Sequence, residues 1–429
     1  MTSKIICTSD SDVATTISAY NTRGDRFHLG SDWIKFRIKD PISMPLSTAL
    51  DKNIEGFIFH QIGTRQSPDW WTGFKPDSYL PGKNHATVID KLPEALREKL
   101  RNRTALVHFD QSMEANPLID KWFNYYEAFH KAFMEHDLLA EQFVITTCNL
   151  SESRLYDKWC SDNNITSKMI IVEANFFASA CAQDHFFLPG PITIPFIKHI
   201  EHKRDNEVQL FNCLNRVVRE HRVAFVAMLN YYGLVDDNKV SHDFYPNHFK
   251  NDIVINEFAP HPAFEHANVI KTNQKLPLIL DTIQFQVNKA QNLYVDVYLN
   301  TWVSVITETF YYEYPDQAIF FSEKIYKPMR ALHPFIIVGA KGSLRELKAQ
   351  GFKTFSNWWD ESYDDIEEPT ARLEAICKLL LQLSIKPKAE WEHLYPHMES
   401  VLQHNYQHLL NTDWLKDLKP KIIDRIQHD

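Results

Sequence analysis

Short apolar runs alternating with helical periodicity limit more than anything else what this chain can fold into. Residues 4–8, 56–60, 105–109, 143–147 and 169–172 read as buried strands, and residues 91–101, 118–135 and 152–162, with apolar positions three to four apart, read as helices between them. Strand, helix and strand in turn predict an α/β fold around a largely parallel sheet. The texture changes at 188–207, LPGPITIPFIKHIEHKRDNE, where three prolines precede a run of charges. The pattern then restarts, with strands at 208–215, 303–307, 318–321 and 335–338, helices near 218–232, 324–331 and 344–350, and a tail over 367–426 that reads almost wholly helical. These boundaries predict an N-terminal domain over 1–190, a linker over 191–207, a second α/β domain over 208–390 and a helical tail over 391–429. A chain of 429 residues has the length for two such domains.

Composition removes several functions. Only 11 residues are glycine, and neither GxGxxG nor GxxxxGK[ST] occurs, which argues against a dinucleotide-binding oxidoreductase and a P-loop NTPase. A net charge of −9 gives no overall field to gather nucleic acid or an anionic membrane, so an anionic ligand must be gripped locally. The six cysteines are scattered without a CxxC pair and read as reduced thiols. The opening MTSKIICTSDSD lacks the apolar core of a secretory signal, and no apolar stretch is long enough to span a bilayer, so a cytoplasmic protein is expected. The basic stretch 416–425 allows at most peripheral membrane contact.

Two segments carry chemistry. Residues 303–355 read strand, Glu308, loop, strand, Ser322-Glu323-Lys324, helix, strand, Gly339, loop, helix. Ser322 fits an N-cap, which would leave backbone N–H groups and the positive end of the helix dipole facing an anion. Lys324 and Lys327 share a helix face and add two ammonium donors, while Glu323 suits two vicinal hydroxyls, as a ribose offers. Glu323 and Lys327 also stand in the i,i+4 order of an ordinary surface ion pair. The second segment, LFNCLNRVVREHRVAF from Leu210, runs a strand through Asn215 into a helix start bearing Arg216, Arg219 and Arg222. Guanidiniums there oppose the helix dipole, so something anionic is expected to offset them.

Glu308, then Ser322-Glu323-Lys324, an apolar helix and a strand ending in Val338-Gly339 resemble the donor-binding signature of fucosyltransferase-like GT-B glycosyltransferases. Asn212-Cys213 followed by arginines resembles an upstream segment of that family, and "CLNR" with "EKxxKP" is similar to bacterial and viral glycosyltransferase-like proteins. Thr309-Phe310 and Lys327-Pro328 depart from the fucosyltransferase pattern. The resemblance covers mainly 210–355. It implies two Rossmann-like lobes facing each other across a cleft, a nucleotide-sugar donor on the C-terminal lobe held by Asn215, Arg216, Arg219, Arg222, Glu308, Ser322, Glu323, Lys324 and Lys327, a glycan acceptor on the N-terminal lobe, and metal-independent transfer in capsule, lipopolysaccharide or similar synthesis. An inverting enzyme of this kind needs one base on the acceptor hydroxyl. Glu114 and Asp110 are the first choices, with His60 and Glu173 behind them, because each follows a strand end.

Asp10-Ser11-Asp12 is formally a DxD metal motif but precedes any nucleotide-binding unit, and His261 and His266 lack helical ligand spacing, so no metal or other cofactor is expected. Two alternatives remain open: a non-catalytic glycan- or nucleotide-binding protein of the same fold, and a sugar-phosphate transferase or phosphorylase whose arginines hold substrate phosphate.

Overall fold

A computed structural model describes residues 5–9, 42–52, 55–63, 88–111, 117–119, 124–183, 194–215, 219–242, 258–265, 293–311 and 318–423. The chain divides into two compact units: Met1–Phe176 with Glu313–Phe320 and Asp413–Asp429, and Phe177–Tyr312 with Phe321–Thr412. The division falls at 176/177. The expected linker instead contains a helix, and the expected helical tail is shared between the units.

The first unit is built on β1 (Ile5–Ser9), β2 (Ile42–Ser43), β3 (Phe57–Gly63), β4 (Ala105–Gln111), β5 (Phe143–Thr147) and β6 (Ile170–Glu173), in the order β2-β1-β3-β4-β5-β6 with every pairing parallel. Its helices are α1 (Leu46–Asp51), α2 (Glu94–Arg101), α3 (Tyr125–Glu135) and α4 (Glu152–Asp162). Successive strand residues point to opposite faces. Ile58, Ile62, Ala105, Val107, Phe109, Phe143 and Ile145 take one face and pack with Leu96 and Leu100 of α2 and Phe129 and Phe133 of α3. Asn124 caps α3, its side chain accepting from Glu127 N.

After α5 (Phe176–Cys181) and α6 (Phe196–Asp205), the second sheet comprises β7 (Gln209–Asn215), β8 (Lys239–His242), β9 (Thr301–Thr307) and β10 (Phe335–Val338), in the order β10-β9-β7-β8, again parallel. α7 (Glu220–Tyr231) follows β7, α8 (Val295–Leu299) precedes β9, and α9 (Glu323–Arg330) and α10 (Ser343–Ala349) flank β10. The C-terminal part adds α11 (Pro369–Ser384), α12 (Lys388–Leu394) and α13 (Glu399–Asn411).

Residues 318–321 do not form the expected strand. The Ile319 carbonyl instead accepts from Leu150 N (2.9 Å) within the first unit, so the segment has a backbone partner but no ladder. The amino ends of the second sheet are closed by polar side chains. Lys203 Nζ donates to the carbonyls of Tyr298 (2.8 Å), Leu299 (3.1 Å) and Thr301, and His333 bridges Ser304 Oγ and the Thr301 carbonyl, both at 2.8 Å. All three lysine protons therefore meet carbonyls, at and just beyond the C-terminus of α8, where a cation also complements the helix dipole.

Candidate functional site

In an open parallel sheet a ligand crevice opens at the carboxyl ends of the strands where the strand order reverses. In the second sheet the chain runs from β7 outward to β8, then back to β9 on the other side, so the reversal lies between β7 and β9. The residues at that point are those that the sequence singles out. β7 ends at Asn215 and leads toward α7, while β9 ends at Thr307 and is followed by Glu308.

Asn215 ties the two strands together. Its Oδ1 accepts from Thr307 Oγ1, and its Nδ2 donates to Cys213 Sγ (3.3 Å). It is buried and committed inside the sheet, so its expected donor contact is replaced by a structural one. From the first turn of α7, His221 Nε2 donates to the Glu308 carbonyl (2.9 Å), and Arg222 Nη2 donates to the carbonyls of Thr307 (3.1 Å) and Glu308 (3.2 Å). Burial, with Arg222 adding repulsion, pushes His221 well below its ordinary value, so it is neutral. Burial and then Arg219 push Arg222 down to about 10, which leaves it charged at neutral pH. Arg219 itself is exposed at the N-cap of α7.

Ser322 does cap α9: its Oγ accepts from Lys324 N (3.3 Å). The anion at this helix start is, however, the protein's own. Glu308 accepts from Ser322 Oγ (2.6 Å) and from Ser322 N (3.3 Å to each oxygen). Glu308 and Ser322 are thus buried supports for the start of α9, and the expected vacancy there is filled by a side chain 14 residues earlier. Burial pushes the Glu308 carboxyl up against the opposing pull of Lys324 and Ser322.

Glu323, Lys324 and Lys327 are the half-buried members of this helix start. Glu323 pairs with Lys324 (2.9 Å). Burial opposes its ionisation, but Lys324 and Lys327 outweigh that and hold its carboxyl below the usual range. The fields of Glu323, Lys327, Arg330 and Glu308 all reach the buried Cys181 thiol, which burial pushes well up. Among the described residues, Arg219, Arg222, Lys324, Lys327 and Arg330 stand here against Glu308, Glu323 and Glu220, five basic side chains to three carboxyls.

In the first unit, β4 brings Asp110 to the carboxyl edge of the sheet. Asp110 is half-buried and its Oδ1 accepts from Thr146 Oγ1 (3.3 Å) on β5. His60 is a core histidine, buried with Nδ1 against Thr8 Oγ1 (2.9 Å). It aligns with Val107 in the β3–β4 register, on the opposite face from Asp110, so the two expected base candidates are not brought together. Glu173 is half-buried and accepts from Ser153 N (2.6 Å) near the start of α4. Glu114, Arg216, His266 and the Asp10-Ser11-Asp12 triplet lie outside the described residues.

Sequence reasoning missed three buried groups. Glu152 is sealed with Tyr126, Asn149 and Leu118 N as donors, and burial pushes its carboxyl up to about 7. The Gln111 amide is buried on the helix-packed face with neither its oxygen nor its nitrogen hydrogen-bonded. His108 lies fully buried beside Thr146. The only sequence signal for any of them is a polar residue inside or just after an apolar strand. Among the described residues, no group of three or more His, Cys, Asp or Glu side chains is arranged to hold a metal, and no helix is long and apolar enough to cross a membrane.

No protein-family model matches the chain, and no curated protein matches it. Solved structures of similar fold include the N-terminal domain of Candida albicans trehalose-6-phosphate phosphatase, at 10% identity and a TM-score of 0.43, covering 100% of this chain and 97% of that one. An E. coli structure described as trehalose-6-phosphate bound with UDP-2-fluoro glucose has 12% identity and a TM-score of 0.41, covering 87% and 76%. An α1,3-fucosyltransferase structure has 10% identity and a TM-score of 0.40, covering 99% and 90%. These likenesses are too low to carry function, which stands on the side chains of the site itself.

Proposed function

We propose that this chain is a nucleotide-sugar-dependent glycosyltransferase, with the donor's diphosphate gripped by the second unit and a glycan acceptor by the first. The gathering of basic side chains among the described residues where the order of the second sheet reverses carries the reading. A sugar nucleotide presents two negative charges on its pyrophosphate, which cations at this position would meet. Arg219, Lys324 and Lys327 are the accessible or half-buried cations that would meet phosphate oxygens, and Glu323 would accept from the ribose hydroxyls. Arg222, His221, Glu308, Ser322 and Asn215 hold that arrangement from beneath.

Transfer then needs a developing negative charge stabilised on the leaving diphosphate and a base on the acceptor hydroxyl. The cations supply the first without a metal. The second would fall to one of the candidates of the first unit, of which Asp110 is half-buried at the carboxyl edge of its sheet, in a single displacement that inverts the anomeric centre. The acceptor oxygen bonds to the anomeric carbon as the bond to the diphosphate breaks.

Calorimetric titration with UDP, GDP, ADP and CMP, with and without Mg²⁺, tests the donor site. One nucleotide should bind without the metal, and Glu323→Ala and Lys327→Ala should each weaken it by about 1–3 kcal/mol, the loss of a hydrogen bond to a charged group. Equal affinity in both variants would count decisively against this site. Product analysis separates the classes: nucleoside diphosphate release marks glycosyl transfer, while dependence on free phosphate marks a phosphorylase.

A further inference from the structure

A row of polar side chains stands at the carboxyl end of the first sheet. Gln111 of β4 aligns with Thr147 of β5, and Thr147 with Glu173 of β6, so the three lie side by side on the face that Phe109, Ile145 and Ile171 turn to the core. With strands about 4.8 Å apart the row runs about 10 Å along the lip, the end of a parallel sheet at which ligands are held. Gln111 and Thr147 are buried, whereas Glu173, on the edge strand, is half-buried.

The hydrogen-bonding capacity of Gln111 is wholly unspent, since neither Oε1 nor Nε2 has a partner. A buried amide left in that state costs free energy that an apolar side chain would not, which marks it as a group waiting for a partner. Thr147 Oγ1 accepts from Asn149 N (3.0 Å), and among the described residues its own proton has no acceptor. Gln111 and Thr147 together therefore offer three donor protons and one carbonyl oxygen.

The charge at this lip is opposite to that of the cation-rich site in the second unit. Glu173 accepts from Ser153 N (2.6 Å) near the start of α4. Burial pushes the neighbouring Glu152 carboxyl up to about 7, and the charge of Glu173 adds to that rise. Carboxyls beside a neutral amide and a hydroxyl repel a phosphate and accept from hydroxyl groups. An amide that accepts through its oxygen and donates through its nitrogen matches two vicinal hydroxyls of a sugar ring.

We propose that Gln111, Thr147 and Glu173 form a subsite for an uncharged sugar ring of the glycan acceptor, with the Gln111 amide bridging two neighbouring hydroxyls. Calling that sugar an acceptor rests on the transferase reading; its binding needs the first unit alone. The subsite also narrows that reading, because a phosphorylated sugar is disfavoured at this row.

The full chain is titrated with the methyl glycosides of glucose, galactose, mannose and N-acetylglucosamine and with the corresponding 6-phosphates. Binding is followed by the ¹H–¹⁵N resonances of glutamine side-chain amides, that of Gln111 being assigned by its loss in Gln111→Met. At least one neutral glycoside should shift this resonance saturably, and its 6-phosphate should bind more weakly. Gln111→Met should weaken the same glycoside about tenfold or more while raising the melting temperature of the ligand-free protein, a pair of effects that a merely structural amide would not give. Tighter binding of the phosphorylated sugar overturns the proposal. So does a resonance that no sugar shifts; if sugar nucleotides are then still turned over, the transferase reading stands without this subsite. Saturable glycoside binding with no turnover of any sugar nucleotide supports the subsite and overturns the transferase reading. If Gln111→Met does not fold, Thr147→Val, which deletes one donor, should weaken the glycoside about threefold or more, and equal affinity would refute the proposal.

Discussion

Replacing Glu152 with glutamine should change stability with a sign that depends on pH. The carboxyl is buried at the start of α4, where it accepts from Tyr126 Oη, Asn149 Nδ2 (2.7 Å) and Leu118 N (3.3 Å). Burial outweighs these donors and pushes it from 4.5 up to about 7. The folded state therefore binds the proton more tightly than the unfolded one. The residue's contribution is fully present below pH 4.5 and is lost as pH rises through 7, a difference of about 3 kcal/mol. Glutamine never ionises, so that loss disappears. It also sets an NH₂ group against the Asn149 amide, at a cost of about 1–2 kcal/mol. The variant should be about 1–2 kcal/mol less stable than the wild type at pH 4 and more stable by a similar amount at pH 8. Urea unfolding at both pH values, with native-state hydrogen exchange of the α4 amides as the local readout, measures the crossover. A difference of the same sign and size at both pH values would refute the reasoning.

Two further substitutions test the buried polar groups of the two units. Lys203→Met leaves the carbonyls of Tyr298 and Leu299 without their lysine donor and that of Thr301 with His333 alone, and should cost about 2–4 kcal/mol in denaturant unfolding; a cost under 1 kcal/mol would deny the lysine its role at the sheet's amino edge. Gln111→Met exchanges a buried amide with no hydrogen bond for an apolar side chain of similar length, and should raise thermal stability by about 1 kcal/mol, with a fall showing that the amide has a partner in solution.

Local pattern was enough for β5, α4 and β10, whose observed bounds are the expected ones, because each is a run whose burial follows its own periodicity. It failed where the stabilising partner is distant. α6 hides behind prolines and charges because two of its buried positions are His199 and Lys203, the latter held by carbonyls nearly a hundred residues away. β8, KVSH, is too short and polar to stand out, and exists because β7 lies alongside it. At the site, the Ser322 cap was legible from residue type and spacing. The closure of that helix start by Glu308, the loss of Asn215 to Thr307, and the contacts of Thr146 with His108 and Asp110 all depend on tertiary pairing that no window of sequence contains.

The first unit is written in three separate stretches of chain, and this sets an order of events at the ribosome. Leu150 N waits for the Ile319 carbonyl, and the Ile171 carbonyl for Lys421 Nζ (3.4 Å). A nascent chain that has emerged only to residue 176 lacks both partners, so its sheet must survive translation of nearly all the remainder in an unfinished state. Expression of residues 1–176 alone would reproduce that intermediate, without Ile319 for Leu150 N or Lys421 for the Ile171 carbonyl, and should be prone to aggregation or chaperone capture.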